Sequence, residues 1–238
     1  MEMNDINFWD TNVEVGYYDL NFRNGLKKNK GIRSNWHKIT FEEVKENLNL
    51  DLKHLDYACG PGTFLGHYIN KESVGYDASE KQIQYAKNNY PKHKFTLDLK
   101  EVEDNCPYDS ISVIGLIEFL TDEEISGLIS NLKSMLKPGG IIIFTTPNFN
   151  FSMRFAQWLF DFKSELNYKS VTINKHTKKS LLRKNFVKEF ETIEIYKILN
   201  FGIVFSIFNH KMGKFFHDVF KKLLNKSLGL LLVIKVKV

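Results

Sequence analysis

The sequence has few cysteines, no long apolar run and no strong excess of either charge. Cys59 and Cys106 are its only cysteines, too few for a disulfide framework, so a reducing, cytoplasmic compartment is expected. No uncharged apolar run approaches the roughly 20 residues that span a bilayer, which argues against an integral membrane protein. The first residues, MEMNDINFWD, are acidic and lack the basic-then-apolar order of a signal peptide.

What is present is the composition of an ordinary globular protein. Of 238 residues, 43% are hydrophobic and 26% are charged, which is enough for one sizeable core. The net charge of +5 permits an anionic partner. The lysines do not form one stripe interleaved with exposed aromatics, so we expect no nucleic-acid partner. No internal repeat or low-complexity linker is present, so we predict one elaborated domain, and we predict no metal site.

Strand-like and helix-like segments alternate between residues 52 and 146. Five segments predict buried strands, at 53–58, 73–76, 94–97, 109–115 and 141–145. Five such units in series predict a Rossmann-like, doubly wound α/β sheet, mostly parallel, with helices on both faces. The pairs Ser79 with Gln82 and Thr121 with Glu124 have the spacing of capping boxes, which predicts helix starts at both places.

The segments on either side of this array are interpreted as a cover and as substrate-side elements. Thr40 and Glu43 have capping-box spacing and predict a helix over residues 41–48. The pattern after residue 150 predicts further elements, namely helices around 153–162 and 177–184 and strands over 190–198 and 229–238. We therefore divide the domain into three parts, an N-terminal helical cover (1–50), a cofactor-binding core (51–150) and substrate-side helices with closing strands (151–238).

A glycine loop interrupts the stretch LDYACGPGTF, residues 55–64. Gly60 and Gly62 let the backbone approach a ligand closely, and free N–H groups at the start of the following helix face its polar groups. Taken alone, the pair is as typical of an ordinary turn as of a binding loop.

Two carboxylates end the next predicted strands. Asp77 lies 21 residues after Asp56, a position suited to the two hydroxyls of a ribose. Asp98 ends the third strand, within reach of an adenine amino group. With the loop, these acids predict a nucleotide-like cofactor. The glycine spacing leaves an NAD(P)-dependent oxidoreductase open, although Leu65 stands where the third glycine of the dinucleotide fingerprint is expected.

Five motifs in order are far more specific than the loop alone. They are LDYACGPGTFL, VGYDAS, the DL pair at 98–99, YDSISVIGLIEFLTD and LKPGGIIIFTTPN. Across residues 50 to 150 the sequence resembles the class I S-adenosylmethionine-dependent methyltransferases, in particular their quinone, lipid and small-molecule O-methyltransferase branch. The resemblance implies a seven-stranded sheet with an antiparallel last strand and S-adenosyl-L-methionine as the cofactor.

The resemblance also implies which residues bind this cofactor, with the methionine end by the first loop, the ribose on Asp77 and the adenine between Ala78 and Leu99. The full set is Asp56, Ala58, Cys59, Gly60, Gly62, Asp77, Ala78, Gln82, Asp98, Leu99, Gly115 and Ile117. Arg33 is a candidate partner for the methionine carboxylate, and Tyr17 or Tyr18 a candidate to cover the cofactor. One departure is Ala58, which replaces the first glycine of the usual motif.

Transfer of a sulfonium methyl group depends mainly on in-line placement of the reactants. A hydroxyl acceptor would also use a general base, for which Glu118, His37 and His176 are candidates. Each has an ordinary alternative, since Glu118 could bind cofactor or cap a helix and the histidines could be satisfied surface groups. Phe119 follows Glu118 where similar quinone O-methyltransferases commonly carry a histidine. A non-catalytic S-adenosylmethionine-binding module therefore stays an alternative.

The acceptor is indicated by segment 201–226. One helical stripe is apolar and consists of Phe205, Phe208, Met212, Phe216, Val219 and Leu223. The other side is basic and carries Lys211, Lys214, His217 and Lys221. Such a helix is either a lid with its apolar face inward or a peripheral contact with the inner membrane surface. We predict a methyltransferase that acts, at oxygen, on a small-molecule or lipid-like acceptor such as a prenylated quinone precursor or a lipid-linked glycan.

Overall fold

The computed structural model describes residues 8–49, 52–149, 172–184, 190 and 192–238. Its strands are β1 (His54–Tyr57), β2 (Val74–Tyr76), β3 (Lys94–Thr96), β4 (Tyr108–Ile114), β5 (Leu136–Pro147), β6 (Thr192–Ile198) and β7 (Leu231–Lys237). Its helices are α1 (Tyr17–Lys28), α2 (Ile32–Glu46), α3 (Thr63–Tyr68), α4 (Glu80–Asn89), α5 (Leu99–Asp104), α6 (Asp122–Ser134), α7 (Lys178–Lys184) and α8 (His210–Leu228). Two 3₁₀ helices span Ile117–Phe119 and Phe201–Ile207. The predicted helix around residues 153–162 lies outside the described residues.

The seven strands form one sheet in the order β3-β2-β1-β4-β5-β7-β6. The first five strands are parallel to one another, whereas β7 pairs antiparallel with both β5 and β6. The predicted Rossmann-like sheet with an antiparallel last strand is therefore confirmed. The chain runs outward from β1 to β3 and then restarts on the other side at β4. This reversal opens a crevice at the carboxyl ends of β1 and β4, where such folds bind ligands.

Helices cover both faces of the sheet, which explains why its central strands are apolar on both sides. Side chains of α5, α6 and α7 pack on one face together with buried strand residues such as Ile111 and Phe144. Side chains of α1 to α4 pack on the other face, with Phe22, Leu65 and Phe95 in that core. The crevice at the carboxyl ends of β1 and β4 therefore lies above a core that is packed on both faces of the sheet.

The prediction that a helix begins at residue 41 is wrong. The observed α2 begins after Gly31, which has a φ of 123°, and Thr40 lies in its interior. Thr40 Oγ1 donates a hydrogen bond to the Trp36 carbonyl 2.9 Å away, a common arrangement for threonine within helices. Glu43 accepts a hydrogen bond from Tyr196 Oη at 2.8 Å. The spacing of Thr40 and Glu43 is therefore that of a capping box without its function.

The two other predicted capping boxes have opposite outcomes. Thr121 and Glu124 form the box, because each backbone N–H is bound by the other residue's side chain. Ser79 does precede α4, but its side chain makes no cap hydrogen bond. Ser79 Oγ instead donates to Asp10 Oδ1 at 2.5 Å, and the Gln82 amide binds backbone groups of the N-terminal segment. A tertiary contact has replaced the local cap.

The apolar stripe of segment 201–226 faces outward, so the prediction of a lid with its apolar face inward is wrong. The 3₁₀ helix ends before Phe208, and Asn209 caps the separate helix α8 by accepting a hydrogen bond from the Met212 N–H. Phe208 and Met212 are exposed, whereas His217, expected on the outer side, is buried. A Cβ added at Gly213 would lie 1.8 Å from Ser206 Oγ. Glycine on the inward side of α8 therefore allows this helix to pack closely against the 3₁₀ helix that contains Ser206.

A buried carboxylate attaches the N-terminal helix α1 to the core. Asp19 has no exposed surface and accepts hydrogen bonds from Tyr85 Oη at 2.7 Å and Tyr90 Oη at 2.5 Å. His67 Nε2 lies 3.3 Å from the same carboxylate. Burial opposes ionisation of Asp19, but the hydrogen bonds from His67, Tyr90 and Tyr85 outweigh it and lower the pKa below the usual value of 3.8.

We predict that Asp19→Asn destabilises the protein by about 2 kcal/mol near neutral pH, because the tyrosine hydroxyls lose a charged acceptor. A carboxyl with a lowered native pKa stabilises the fold above its unfolded pKa, and this contribution is lost as pH falls. The difference between wild type and variant should therefore shrink below about pH 4. Urea unfolding at neutral and acidic pH measures both effects.

Asp104→Asn is the matched control, because Asp104 is exposed at the end of α5. Its free energy of unfolding should change by less than about 0.5 kcal/mol. Equal stability of Asp19→Asn and wild type near neutral pH would contradict the anchoring role of Asp19.

Candidate functional site

The loop after β1 combines three residues with positive φ. Ala58 has a φ of 61°, Gly60 of 52° and Gly62 of 75°. A Cβ at Gly62 would lie 2.8 Å from the Phe95 ring, so glycine is required there. A Cβ at Gly60 would meet nothing within 4 Å, because this position faces open space. Ala58 adopts the left-handed conformation that the usual glycine would adopt without strain, which is why glycine is favoured at that position.

The carboxylate of Asp77 organises this loop from the end of β2. Asp77 Oδ2 accepts a hydrogen bond from the Gly60 N–H at 2.8 Å, and Oδ1 accepts one from the Ser79 N–H at 2.9 Å. A carboxylate can accept further hydrogen bonds, so capacity remains for a diol. Asp77 thus lies between the glycine loop and the start of α4, the position that the ribose role requires.

Asp56 supports the loop from below rather than presenting a free charge. It is buried in β1 and accepts a hydrogen bond from Ser112 Oγ on β4 at 2.5 Å. Burial, together with the nearby charge of Asp77, raises the pKa of Asp56 to about 7. The two acids therefore differ in environment, since backbone N–H groups bind only Asp77.

A cavity of about 610 Å³ opens at this edge of the sheet, within the roughly 300–1,000 Å³ common for small-molecule sites. Eleven of the residues predicted from sequence line it, namely Tyr18, His37, Asp56, Ala58, Cys59, Gly60, Asp77, Ala78, Gln82, Gly115 and Glu118. The structure therefore brings the glycine loop, Asp77 and two of the three candidate bases around one space.

Other predicted site residues do not line this cavity. They are Tyr17, Arg33, Gly62, Asp98, Leu99, Ile117 and His176. Arg33 is exposed and donates a hydrogen bond to Tyr17 Oη at 2.5 Å. Asp98 is exposed and caps α5 by accepting a hydrogen bond from the Lys100 N–H. His176 is buried with Nε2 3.0 Å from the Ile117 carbonyl, where it supports the 3₁₀ helix that carries Glu118.

Aromatic side chains form a compartment of the cavity, of which the sequence predicted Tyr18 but not the other members. Its walls include Tyr18, Phe22, Trp36, Phe41 and Phe64. Trp36, Thr40 and Phe41 recur at helical spacing along α2, a signal that was lost when the helix start was placed at residue 41. The compartment suits a planar, largely apolar group.

Glu118 presents a buried carboxyl to the cavity. Burial raises its pKa to about 7 although the nearby Thr146 hydroxyl lowers it, and no hydrogen bond of ordinary geometry reaches Oε2 within the described part of the chain. Thr63 Oγ1, at the start of α3, is likewise buried without a partner and also lines the cavity. Orphaned polar atoms of this kind indicate a ligand that would satisfy them. Among the described residues, no cluster of three or more histidines, cysteines or acids could hold a metal.

His37 is the second candidate base at the cavity. Its ring stacks on Phe41 with centroids 5.7 Å apart and meets Tyr18 edge-on at 6.2 Å. Burial and the charge of Arg33 lower the pKa of His37 to about 4, so the imidazole is neutral near pH 7. A neutral imidazole has one nitrogen lone pair that can accept a hydroxyl proton or hydrogen bond.

Residues of the N-terminal segment close one side of the cavity. Trp9, Val13 and Tyr18 line it, and the Trp9 ring meets Phe119 edge-on at 5.1 Å. Gln82 Oε1 accepts a hydrogen bond from the Gly16 N–H, and Nε2 donates one to the Glu14 carbonyl, both at 3.0 Å. Phe119 therefore contributes, with Trp9, to an aromatic closure of this side of the cavity.

These features fit an adenosyl cofactor with an amino acid end. Asp77 can accept hydrogen bonds from a ribose diol, and the open space at Gly60 admits close approach of a ligand to the backbone. Thr63 Oγ1 offers an unused polar group beside the loop. Gln82 lines the cavity, but both ends of its amide already bind the N-terminal segment.

Comparison with known proteins agrees with this geometry. A family model described as a methyltransferase domain matches residues 29–188, more than half of the chain. A ubiquinone biosynthesis O-methyltransferase of Coxiella burnetii is 29% identical over 123 residues, which cover 48% of this chain and 51% of the relative. One of Pelagibacter ubique is 29% identical over 133 residues, covering 48% and 55%. The chain thus spans about half the length of these curated relatives.

Solved structures share the fold across nearly the whole chain. The magnesium protoporphyrin IX methyltransferase of Synechocystis PCC 6803, solved with bound SAH, covers 98% of this chain and 97% of its own, with a TM-score of 0.61 at 15% identity. A SAM-dependent methyltransferase from Archaeoglobus fulgidus covers 83% and 94%, with a TM-score of 0.51 at 19% identity. Because the methyltransferase-domain model matches residues 29–188, the chain belongs to that family, and its predicted resemblance to S-adenosylmethionine-dependent methyltransferases is confirmed.

Proposed function

We propose that this chain transfers a methyl group from S-adenosylmethionine to an oxygen atom of a small-molecule or lipid-like acceptor. The observation that carries the proposal is one cavity, lined by the loop bound by Asp77, by the aromatic compartment, and by His37 and Glu118. When bound, S-adenosylmethionine supplies a sulfonium methyl group that is already a strong electrophile. The main task left to the protein is to place the acceptor in line and exclude water.

The glycine loop and the N-terminal segment share the work of binding. Asp77 would accept hydrogen bonds from the ribose hydroxyls while keeping its two backbone donors. The Thr63 hydroxyl would contribute a hydrogen bond at the methionine end, because it is buried and unpaired there. Trp9 and Tyr18 close the space above and keep water from the reacting atoms. Arg33 and Asp98 stay candidates for the carboxylate and the adenine only if their side chains reorient.

The two candidate bases differ in pKa, and this difference decides which of them can remove a proton from the acceptor. A general base works best when its pKa lies near the working pH, and Glu118 meets this condition because burial raises its pKa to about 7. His37, with a pKa of about 4, stays neutral and would accept a hydrogen bond that orients the acceptor hydroxyl. We therefore assign proton removal to Glu118 and acceptor positioning to His37.

The chemistry of the walls narrows the proposed acceptor to a hydroxylated planar ring with an apolar extension. Tyr18, Phe22, Trp36, Phe41 and Phe64 offer ring faces and edges for such a group. The curated relatives are named for ubiquinone biosynthesis, which supports an acceptor of this kind. Segment 201–226 supports peripheral contact with a membrane surface, where a lipid-like acceptor would be found.

We predict that Asp77→Asn weakens S-adenosylmethionine binding about 10- to 100-fold, since one charge-assisted hydrogen bond is worth roughly 1.5–3 kcal/mol. Asparagine offers one acceptor oxygen to the two backbone N–H groups that Asp77 binds, so one of them loses its partner and the melting temperature should also fall. Calorimetric titration of wild type and variant with S-adenosylmethionine, and separately with NAD, measures the effect.

Asp104→Asn serves as the control for the cofactor titration and should bind like wild type. Unchanged affinity of Asp77→Asn would remove the ribose role of Asp77. Tight NAD binding without S-adenosylmethionine binding would favour the alternative of a nucleotide-dependent oxidoreductase and contradict the proposal.

We predict that the methylation rate rises with pH up to about pH 7 and then levels off, because only ionised Glu118 accepts a proton. Glu118→Gln should lower kcat about 10²- to 10⁴-fold and abolish this dependence. His37→Ala should raise KM for the acceptor more than it lowers kcat. Initial rates of labelled methyl transfer to simple catechols, measured across this pH range, test all three.

Full cofactor affinity with no turnover of any phenolic acceptor would support the alternative of a non-catalytic binding module. A pH profile of Glu118→Gln that matches wild type would show that another group removes the proton.

A further inference from the structure

We propose that the outward face of α8 and the lysine turn at residues 27–30 form one docking surface for a membrane with anionic lipid headgroups. The inference rests on the proposed function, because it names the surface from which a lipid-like acceptor would be taken. It adds the lysine turn, which lies about 180 residues before α8 in the sequence and is not part of segment 201–226.

The apolar part of the surface is large and exposed. Phe215, Val219 and Leu223 recur at helical spacing along α8 and are 61%, 53% and 74% exposed. Ile207 and Phe208, at the end of the preceding 3₁₀ helix, are 56% and 68% exposed. No described helix is long and apolar enough to cross a membrane, so this face would lie in the interface plane.

The lysine turn is fixed directly beside this face. The Asn29 carbonyl accepts a hydrogen bond from the His210 N–H at 2.8 Å, and the Gly31 N–H donates to the Ser206 carbonyl at 2.7 Å. Ser34 Oγ lies 2.9 Å from His210 Nε2, both buried. Two helices of the N-terminal half therefore hold the start of α8 in a fixed orientation.

The charges around the apolar face are basic. Lys27, Lys28 and Lys30 are exposed in the turn, and Lys211 is exposed in the first turn of α8. No described carboxylate lies within ion-pair distance of these four lysines, whereas Lys214 pairs with Glu42 and Asp218. The rim nearest Phe208 thus carries uncompensated positive charge, which complements anionic headgroups.

Charge also argues against a second copy of the chain as the occupant. A two-fold symmetric dimer brings the same patch of both subunits together, which would place the lysine rims near one another. A bilayer instead accepts apolar side chains at the acyl boundary and lysines among the headgroups. The surface and the cavity share α2, because Asn35 binds Ser206 while Trp36 and His37 line the cavity.

Co-sedimentation with vesicles tests the docking surface without cofactor or acceptor. Wild type should bind vesicles of phosphatidylcholine with phosphatidylglycerol, with affinity that falls as salt is raised, and should bind phosphatidylcholine alone far more weakly. The triple variant Lys27→Gln, Lys28→Gln, Lys30→Gln should lose on the order of 100-fold in affinity for the anionic vesicles. Phe208→Ser with Phe215→Ser should lose affinity at low and high salt alike, about 10-fold or more.

Matched substitutions elsewhere on the protein distinguish binding through this surface from nonspecific binding to vesicles. Lys87→Gln, Lys92→Gln, Lys100→Gln removes the same charge from other exposed positions, and Leu20→Ser with Leu52→Ser removes other exposed apolar groups. Both controls should bind like wild type. Equal losses in the controls, or equal binding to vesicles without phosphatidylglycerol, would overturn the proposal.

Sedimentation of the protein without vesicles tests whether a second copy of the chain occupies this surface instead. A dimer that Phe208→Ser with Phe215→Ser dissolves, together with absent vesicle binding, would overturn the membrane surface in favour of a second copy. Calorimetric titration of every variant with S-adenosylmethionine keeps the proposals apart, since the surface variants should retain full cofactor affinity. Vesicle binding by a chain that transfers no methyl group would support the surface while refuting the proposed function.

Discussion

The structure depends first on the parallel pairing of β1 with β2 and β4. That pairing brings Asp56 opposite both Gly75 and Ser112, so the strands on either side of β1 end at one level. The loop after β1 then reaches the end of β2, where Asp77 accepts hydrogen bonds from its Gly60 N–H and from the Ser79 N–H. Without this carboxylate, two backbone donors at the mouth of the site would be unsatisfied. The cofactor half of the cavity is therefore a direct consequence of sheet geometry.

The acceptor half has a different physical origin, because it is assembled from the N-terminal segment. Its attachments are polar and specific: Gln82 binds the backbone at Gly16, Ser79 binds Asp10, and Asp19 binds tyrosines of α4 and the loop after it. Hydrogen bonds of this kind fix orientation strongly but each adds only about 1 kcal/mol of net stability. Together with the apolar packing of Phe22 in the core, these hydrogen bonds hold the cover in a defined orientation.

The limits of prediction from sequence follow from the range of the interactions involved. The strands, the glycine loop and Asp77 were predictable because periodicity and turn chemistry are local. Thr121 with Glu124 formed the expected capping box, but Ser79 with Gln82 did not, since their partners lie 66 to 69 residues away in the N-terminal segment. Thr40 misplaced the start of α2, because its hydroxyl binds the Trp36 carbonyl within the helix while Glu43 binds the distant Tyr196, and this error hid the aromatic compartment. Local spacing specifies what a side chain could bind, whereas the fold decides what it meets.

Helix α8 shows the same limit on a larger scale. Its pattern predicted an apolar face and a basic face, but His217 of the basic face is buried, whereas Val219 and Leu223 of the apolar stripe are exposed. The packing is decided by Gly202 and Gly213, where any Cβ would lie within 2.6 Å of backbone or 1.8 Å of Ser206 Oγ, so the small face approaches the core closely. Burying the glycine side of the helix leaves phenylalanine side chains exposed. Contact of their apolar surface with water is unfavourable in free energy. An adjoining lipid phase would remove that cost, and the lysine turn held beside Phe208 gives such a phase a preferred charge.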